Sequence, residues 1–156
     1  MTDTTDGLDP RLQRMLDEQA VRDVVLRYFV GVDRRDVDLI SSAYHPDAVD
    51  ARGHQTFHGA TAGPDILASN RKVMTSTVHH VTSQFVELDG DDARCETYCL
   101  GVHVTGGDKP PKRMYTAGRY HDQLQKRDGE WRFVRRESAM DMMRLSALED
   151  EGRGAR

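Results

Sequence analysis

Three turn signals cut the C-terminal half of the chain into four extended runs, and this punctuation constrains the fold more than any other feature. Asp89-Gly90-Asp91 separates Thr77–Leu88 from Ala93–Thr105. Gly106-Gly107-Asp108-Lys109-Pro110-Pro111 is a looser link to Arg113–Lys126. Arg127-Asp128-Gly129 then leads into a run from Trp131 to about Met140. Acid–glycine pairs in short links favour hairpins, because glycine takes up left-handed backbone at no steric cost. Long runs joined this tightly pair with their sequence neighbours, so an antiparallel meander of these four strands is predicted.

The first half reads as helical. Asp9-Pro10 opens a helix, with the aspartate as cap and the proline in the first position, where a missing N–H costs nothing. Leu12, Leu16, Val21, Val24, Val25, Tyr28, Phe29 and Val32 recur at helical spacing, and the helix ends between Gly31 and Arg35. A second helix over 37–44 carries Leu39, Ile40 and Ala43, and His45-Pro46-Asp47 stops it. An extended stretch over 48–58 follows, then a third helix from Pro64 to about Met74. Residues 1–8 and 146–156 read as flexible tails around one domain, 9–145. Helices first and long strands afterwards predict an α+β fold, in which a curled sheet closed on one side by helices leaves a pocket.

The 156-residue length suits one domain. A net charge of −4 without a basic stripe gives nucleic-acid binding no electrostatic support. No apolar run approaches the roughly 20 residues that span a membrane, and the acidic start MTDTTDGLDP lacks the regions of a secretory signal, so a cytoplasmic protein is expected. Cys95 and Cys99, four apart in a strand, would lie about 13 Å apart, too far for a disulfide. The seven histidines form no zinc pattern, so no metal is expected. No glycine-rich phosphate loop or GxSxG elbow appears either.

Two groups of residues could carry chemistry. Asp33, in Gly-Val-Asp-Arg-Arg, would sit where the first helix meets the pocket, or else pair with Arg34 or Arg35. Tyr28 is about 140° from it on an ideal helix, so both reach one cavity only if the helix distorts, at Gly31 for instance, or the pocket wraps around it. His79 and His80 follow in Thr-Val-His-His-Val-Thr-Ser, and as strand neighbours they face opposite sides. Periodicity leaves the choice open, since Val81 and Phe85 share one face and Val86 and Leu88 the other. A carboxylate beside the inward histidine would fix its tautomer and strengthen it as a base.

Gly-Val-Asp-Arg-Arg, Ala-Tyr-His-Pro-Asp-Ala, Thr-Val-His-His-Val-Thr-Ser and Gly-Arg-Tyr-His-Asp followed by Arg-Asp-Gly-Glu-Trp-Arg-Phe resemble, in order and spacing, the SnoaL-like (nuclear-transport-factor-2-like) family. The likeness runs from about residue 12 to 142 and is nearest to the branch with scytalone dehydratase, bile-acid 7α-dehydratase and hexachlorocyclohexane dehydrochlorinase. It implies a cone-shaped barrel and a homo-oligomer, a trimer or in the wider class a dimer. It also implies roles: Asp33 as the helix-end aspartate, His79 as the catalytic histidine and Tyr28 as a proton donor, with Arg136 in the last strand, or Arg144, as a further catalytic group. The activity implied is a cofactor-independent lyase of dehydratase type. His79 would take a proton, Tyr28 would donate to a carbonyl or a departing hydroxyl, and Arg136 would stabilise the anion or pair with Asp33. Apolar walls from Phe29, Phe85, Val102, Tyr115 and the Met140, Met142, Met143 cluster would suit a polycyclic or steroid-like molecule. The alternatives are a non-catalytic binding module, or a ketosteroid-type isomerase or polyketide cyclase.

Overall fold

The computed structural model describes residues 8–107 and 109–148. The tail expected over 1–8 therefore lies outside these residues except for Leu8, and that over 146–156 except for its first three positions. The elements are α1 (Pro10–Arg34), α2 (Val37–Ser41), β1 (Tyr44–Arg52), β2 (Gln55–His58), α3 (Ala62–Val73), β3 (Met74–Asp89), β4 (Asp92–Thr105), β5 (Lys112–Arg127) and β6 (Glu130–Ala147). The strands form one sheet in the order β2-β1-β6-β5-β4-β3, antiparallel except where β1 runs parallel to β6. The four predicted strands are all present, each longer than expected, and β6 takes in Ser146 and Ala147. The second helix is shorter than expected, and Pro46 lies within β1 rather than in a stop before it. The sheet is also open, since its edge strands β2 and β3 do not pair with each other, so the cone is not a closed barrel.

Local chemistry explains the helix ends. The Asp9 side chain accepts from the Arg11 N–H at 2.8 Å, and Pro10 follows it. The Asp36 side chain caps α2 through the Leu39 N–H at 2.9 Å. Arg35 takes left-handed backbone after α1, and its guanidinium donates to the Met74 and Thr75 carbonyls where β3 begins. This ties the end of the helix to the strand it packs on.

The core lies between α1 and the inner face of the sheet. Val21, Val24, Val25, Tyr28, Phe29 and Val32 form its helical side, and Cys95, Cys99, Leu124, Trp131 and Phe133 its sheet side. Leu12 and Leu16, which share the helical spacing, are exposed instead. Asp17 fastens this part of α1 to the last hairpin, accepting from Lys126 Nζ and Trp131 Nε1, each at 2.8 Å. Both cysteines are free and buried.

Register irregularities decide which side chains face inward. A shift between Val81 and Ser83 exchanges the faces of β3, so that His79 and Val81 point inward, then Gln84, Val86 and Leu88, with Phe85 left outside. On β4 the buried series is Ala93, Cys95, Thr97, Cys99, Gly101 and His103. No helix of the described residues is long and apolar enough to cross a membrane.

Candidate active site

Helix α1, the inner faces of β3 to β6, the end of α3 and the β1–β2 turn line a cavity of about 420 Å³. Tyr28, Arg52, His79, His103, Thr116 and Tyr120 are among its polar lining residues. Gly101 makes room for the His103 ring, since a Cβ there would lie 2.3 Å from its Nε2.

At one point on the wall, His79 meets Asp33. Nδ1 of His79 lies 2.6 Å from Asp33 Oδ1, the His79 backbone N–H donates to Oδ2 at 2.8 Å, and the Thr77 hydroxyl donates to Oδ1 at 3.0 Å. A carboxylate in the last turn of a helix opposes the helix dipole, and these three donors from β3 offset that. Burial alone would raise the Asp33 carboxyl, but the His79 and Thr77 bonds outweigh it and hold it below the ordinary value. An ionised Asp33 only accepts, so Nδ1 of His79 carries a proton, and in the neutral form of the ring the lone pair is on Nε2. Neither Arg34 nor Arg35 pairs with Asp33. The His103 ring centroid stands 5.1 Å from that of His79, and its Nε2 is 3.1 Å from Thr116 Oγ1. Burial, with His79 nearby, lowers His103 to about 4, so it is neutral at pH 7.

A second polar cluster occupies the wall at β1. Arg52 donates through Nε and Nη2 to both oxygens of Asp50, at 2.9 and 2.6 Å, and through Nη2 to the Tyr28 hydroxyl at 2.7 Å. The Tyr44 hydroxyl donates to Asp50 Oδ2 at 2.6 Å. Burial alone would raise Asp50, but Arg52 beside it outweighs this and holds the carboxyl below its ordinary value. Burial raises the Tyr28 phenol, which therefore stays neutral.

Of the residues singled out in the sequence, Tyr28 and His79 line the cavity, and Asp33 stands behind His79. Helix α1 runs unbroken past Gly31, so the angular conflict between Tyr28 and Asp33 is resolved through His79, which carries the aspartate's influence to the cavity. His80 is exposed on the other face. Arg136 does not line the cavity and does not pair with Asp33, because its position on β6 points it into the core. It is fully buried, 3.2 Å from Asp122, with its guanidinium 4.0 Å from the Tyr28 ring centre and 4.4 Å from that of Tyr120. Arg136 and Asp122 are close but out of line for a hydrogen bond. Arg144 is exposed on β6, opposite Tyr115.

Several expected wall residues lie elsewhere. Phe85, Val102 and Tyr115 fall on the outer face of the sheet, Phe85 because the β3 register shift turns it out. Phe29 is buried, its ring centroid 5.0 Å from that of His79, and is not itself part of the wall. Met140 reaches the cavity but is 63% exposed, while Met142 and Met143 do not line it. Sequence reasoning missed His103, Arg52 and Asp50. Parity along Cys95, Thr97, Cys99 and Gly101 would have found the first, and the i, i+2 spacing in Asp-Ala-Arg the other two. Among the described residues no group of three or more His, Cys, Asp or Glu is placed to hold a metal.

Comparisons with known proteins agree with this architecture. Hexachlorocyclohexane dehydrochlorinase 1 of Sphingobium indicum is 26% identical over 136 residues, covering 83% of this chain and 85% of that protein. The crystal structure of a type 2 hexachlorocyclohexane dehydrochlorinase superimposes with a TM-score of 0.84 at 20% identity, over 92% of this chain and 98% of that one. A Novosphingobium aromaticivorans protein provisionally assigned as a scytalone dehydratase gives a TM-score of 0.72 at 18% identity, over 91% and 97%. The SnoaL-like domain model matches residues 13–137, most of the chain, and the protein belongs to that family.

Proposed function

We propose that the protein is a cofactor-independent lyase that eliminates water, or a comparable leaving group, from a hydrophobic small molecule. The observation that carries this is the 2.6 Å contact between His79 Nδ1 and Asp33, which leaves Nε2 as a base on a cavity wall. Nε2 takes a proton from a carbon of the bound molecule. The C–H electron pair becomes the new C=C bond, and the group on the neighbouring carbon departs with its own bonding pair. Asp33 stabilises the imidazolium that forms. Tyr28 donates to a carbonyl or to the departing hydroxyl. Arg136 acts only through the ring of Tyr28, against which it packs. The names of the relatives denote eliminations of the same kind. Among the described residues no carboxylate lines the cavity, which favours this histidine-centred elimination over an isomerase built on a carboxylate base.

A panel of bicyclic and tricyclic β-hydroxy ketones tests the reading, with enone formation followed by ultraviolet absorbance. The wild type should convert at least one member. Asp33→Asn and His79→Ala should slow that conversion by about 10²–10⁴-fold while keeping a cooperative thermal transition. Variants as fast as the wild type would end the mechanism, and a panel left wholly unconverted would favour a binding module.

A further inference from the structure

Arg52 was not anticipated from the sequence, and nothing in the elimination step requires it, yet its side chain is held by three hydrogen bonds. Asp50, whose side chain is 1% exposed, holds it in a fork, and Tyr44 holds Asp50. The Phe57 ring centre lies 5.2 Å from its guanidinium. The directions of the hydrogen bonds decide what this assembly offers. A guanidinium only donates, so in the 2.7 Å contact Tyr28 is the acceptor. The hydroxyl hydrogen of Tyr28 is thereby left over, and it has no acceptor among the described residues. Nη1 of Arg52 likewise has no hydrogen-bond partner among them. Both side chains line the cavity.

We infer that Tyr28 and Arg52 form an oxygen-binding pole of the cavity, and that its ligand is a hydrophobic molecule carrying a carbonyl oxygen. The inference rests on the lyase reading only in placing that oxygen in the same cavity as His79. Charge narrows the ligand class. Asp50 already balances the guanidinium, so the pole is close to neutral overall, and a ligand carboxylate would meet Asp50 as well as Arg52. A carbonyl oxygen avoids that repulsion and gains from two fixed donors as negative charge builds on it. A purely halogenated hydrocarbon would bury those donors without an acceptor, a costly arrangement. This chain's pocket is thus set for a different substrate class from the one its dehydrochlorinase relatives are named for.

Isothermal titration calorimetry with 2-tetralone and with tetralin, which lacks only the oxygen, tests the pole. The wild type should bind the ketone about tenfold or more tightly than the hydrocarbon. In Tyr28→Phe and Arg52→Lys that preference should fall towards unity, with tetralin affinity within about twofold of the wild type. Should Arg52→Lys fail to fold, Tyr28→Phe decides alone, because it keeps the ring and removes only the hydroxyl. Equal affinity of the wild type for the two compounds, no ketone binding at millimolar concentration, or a preference that survives in Tyr28→Phe overturns the inference. Exchange of the ketone's α-protons for deuterium in D2O, above the buffer rate, reads the base separately. No exchange with the preference intact would count against His79 as base and leave the oxygen pole standing.

Discussion

Two buried ionisable side chains, His103 and Asp122, work against each other as pH changes. Burial lowers His103 to about 4 and raises Asp122 to about 7. Between about 4 and 6.5 the unfolded chain protonates His103 and the folded chain does not, so this group removes stability as pH falls. Between about 4 and 7 the folded chain keeps the Asp122 proton that the unfolded chain has released, so this group removes stability as pH rises. The wild type should therefore show a shallow dependence across that window, and single substitutions should expose each half. Asp122→Asn should make stability rise more steeply with pH than in the wild type, and His103→Gln should make it fall. Urea midpoints at pH 4.5, 5.5 and 6.5 read both slopes, and variants parallel to the wild type would refute the assignment. These groups also mark where sequence reading stopped. Asp33 and His79 stood out because each broke a local pattern, an acid at a helix end and a histidine pair in a strand. Asp50, Arg52 and Asp122 look like ordinary strand charges; the i, i+2 spacing of the first two hints at a pair, but only the fold reveals that Asp50 and Asp122 are buried and Arg52 half-buried.

Among the elements, the strands were legible from their turns, because Asp128-Gly129 both adopt positive φ and so close the β5–β6 hairpin with two residues. Which face each strand presents was less legible. Strict alternation put Phe85 with His79, and the one-residue irregularity near Val81 and Ser83 reversed the parity beyond it. Nothing in Val-Thr-Ser-Gln-Phe marks a bulge, so the misplacement of Phe85 follows from physics that local sequence does not encode. The pairing of β1 with β6 was equally hidden, since parallel neighbours far apart in sequence leave no turn between them. The inner face of β4 carries a direct test of how the cavity is shaped. In Gly101→Ala the new methyl would meet the His103 ring, both of whose nearest atoms lie under 3 Å from the Cβ position. The ring must then swing towards the cavity, at a cost of about 1–3 kcal/mol. The expected result is a lower thermal midpoint together with weaker 2-tetralone binding, and an unchanged midpoint would show that the strand has room to spare.

At the scale of the molecule, the outer face of the sheet carries an apolar area that a lone subunit would leave in water. Val78, Val102 and Tyr115 are cross-strand neighbours, and the next row brings Leu100 beside Ala117 and Met142. Val78, Leu100, Tyr115 and Met142 are all exposed, Met142 by 70%. A contiguous apolar face of this kind favours association, and a trimer or dimer formed through it is expected. Light scattering at micromolar concentration should return a multiple of 17.7 kDa, and Leu100→Arg should shift the mass towards one subunit. A wild-type mass of one subunit would rule the assembly out. The strand order carries one further consequence. β6, the last strand among the described residues, lies between β1 and β5 and joins the β1–β2 pair to the meander of β3, β4 and β5. As a ribosome releases the chain, β3, β4 and β5 can zip together early, but the β1–β2 hairpin has no further strand to join until residues 130–147 emerge. Tyr28, Arg52 and His79 therefore come together around one space only once β6 has emerged, and a nascent chain stalled before Glu130 should hold a protease-sensitive first half and no cavity.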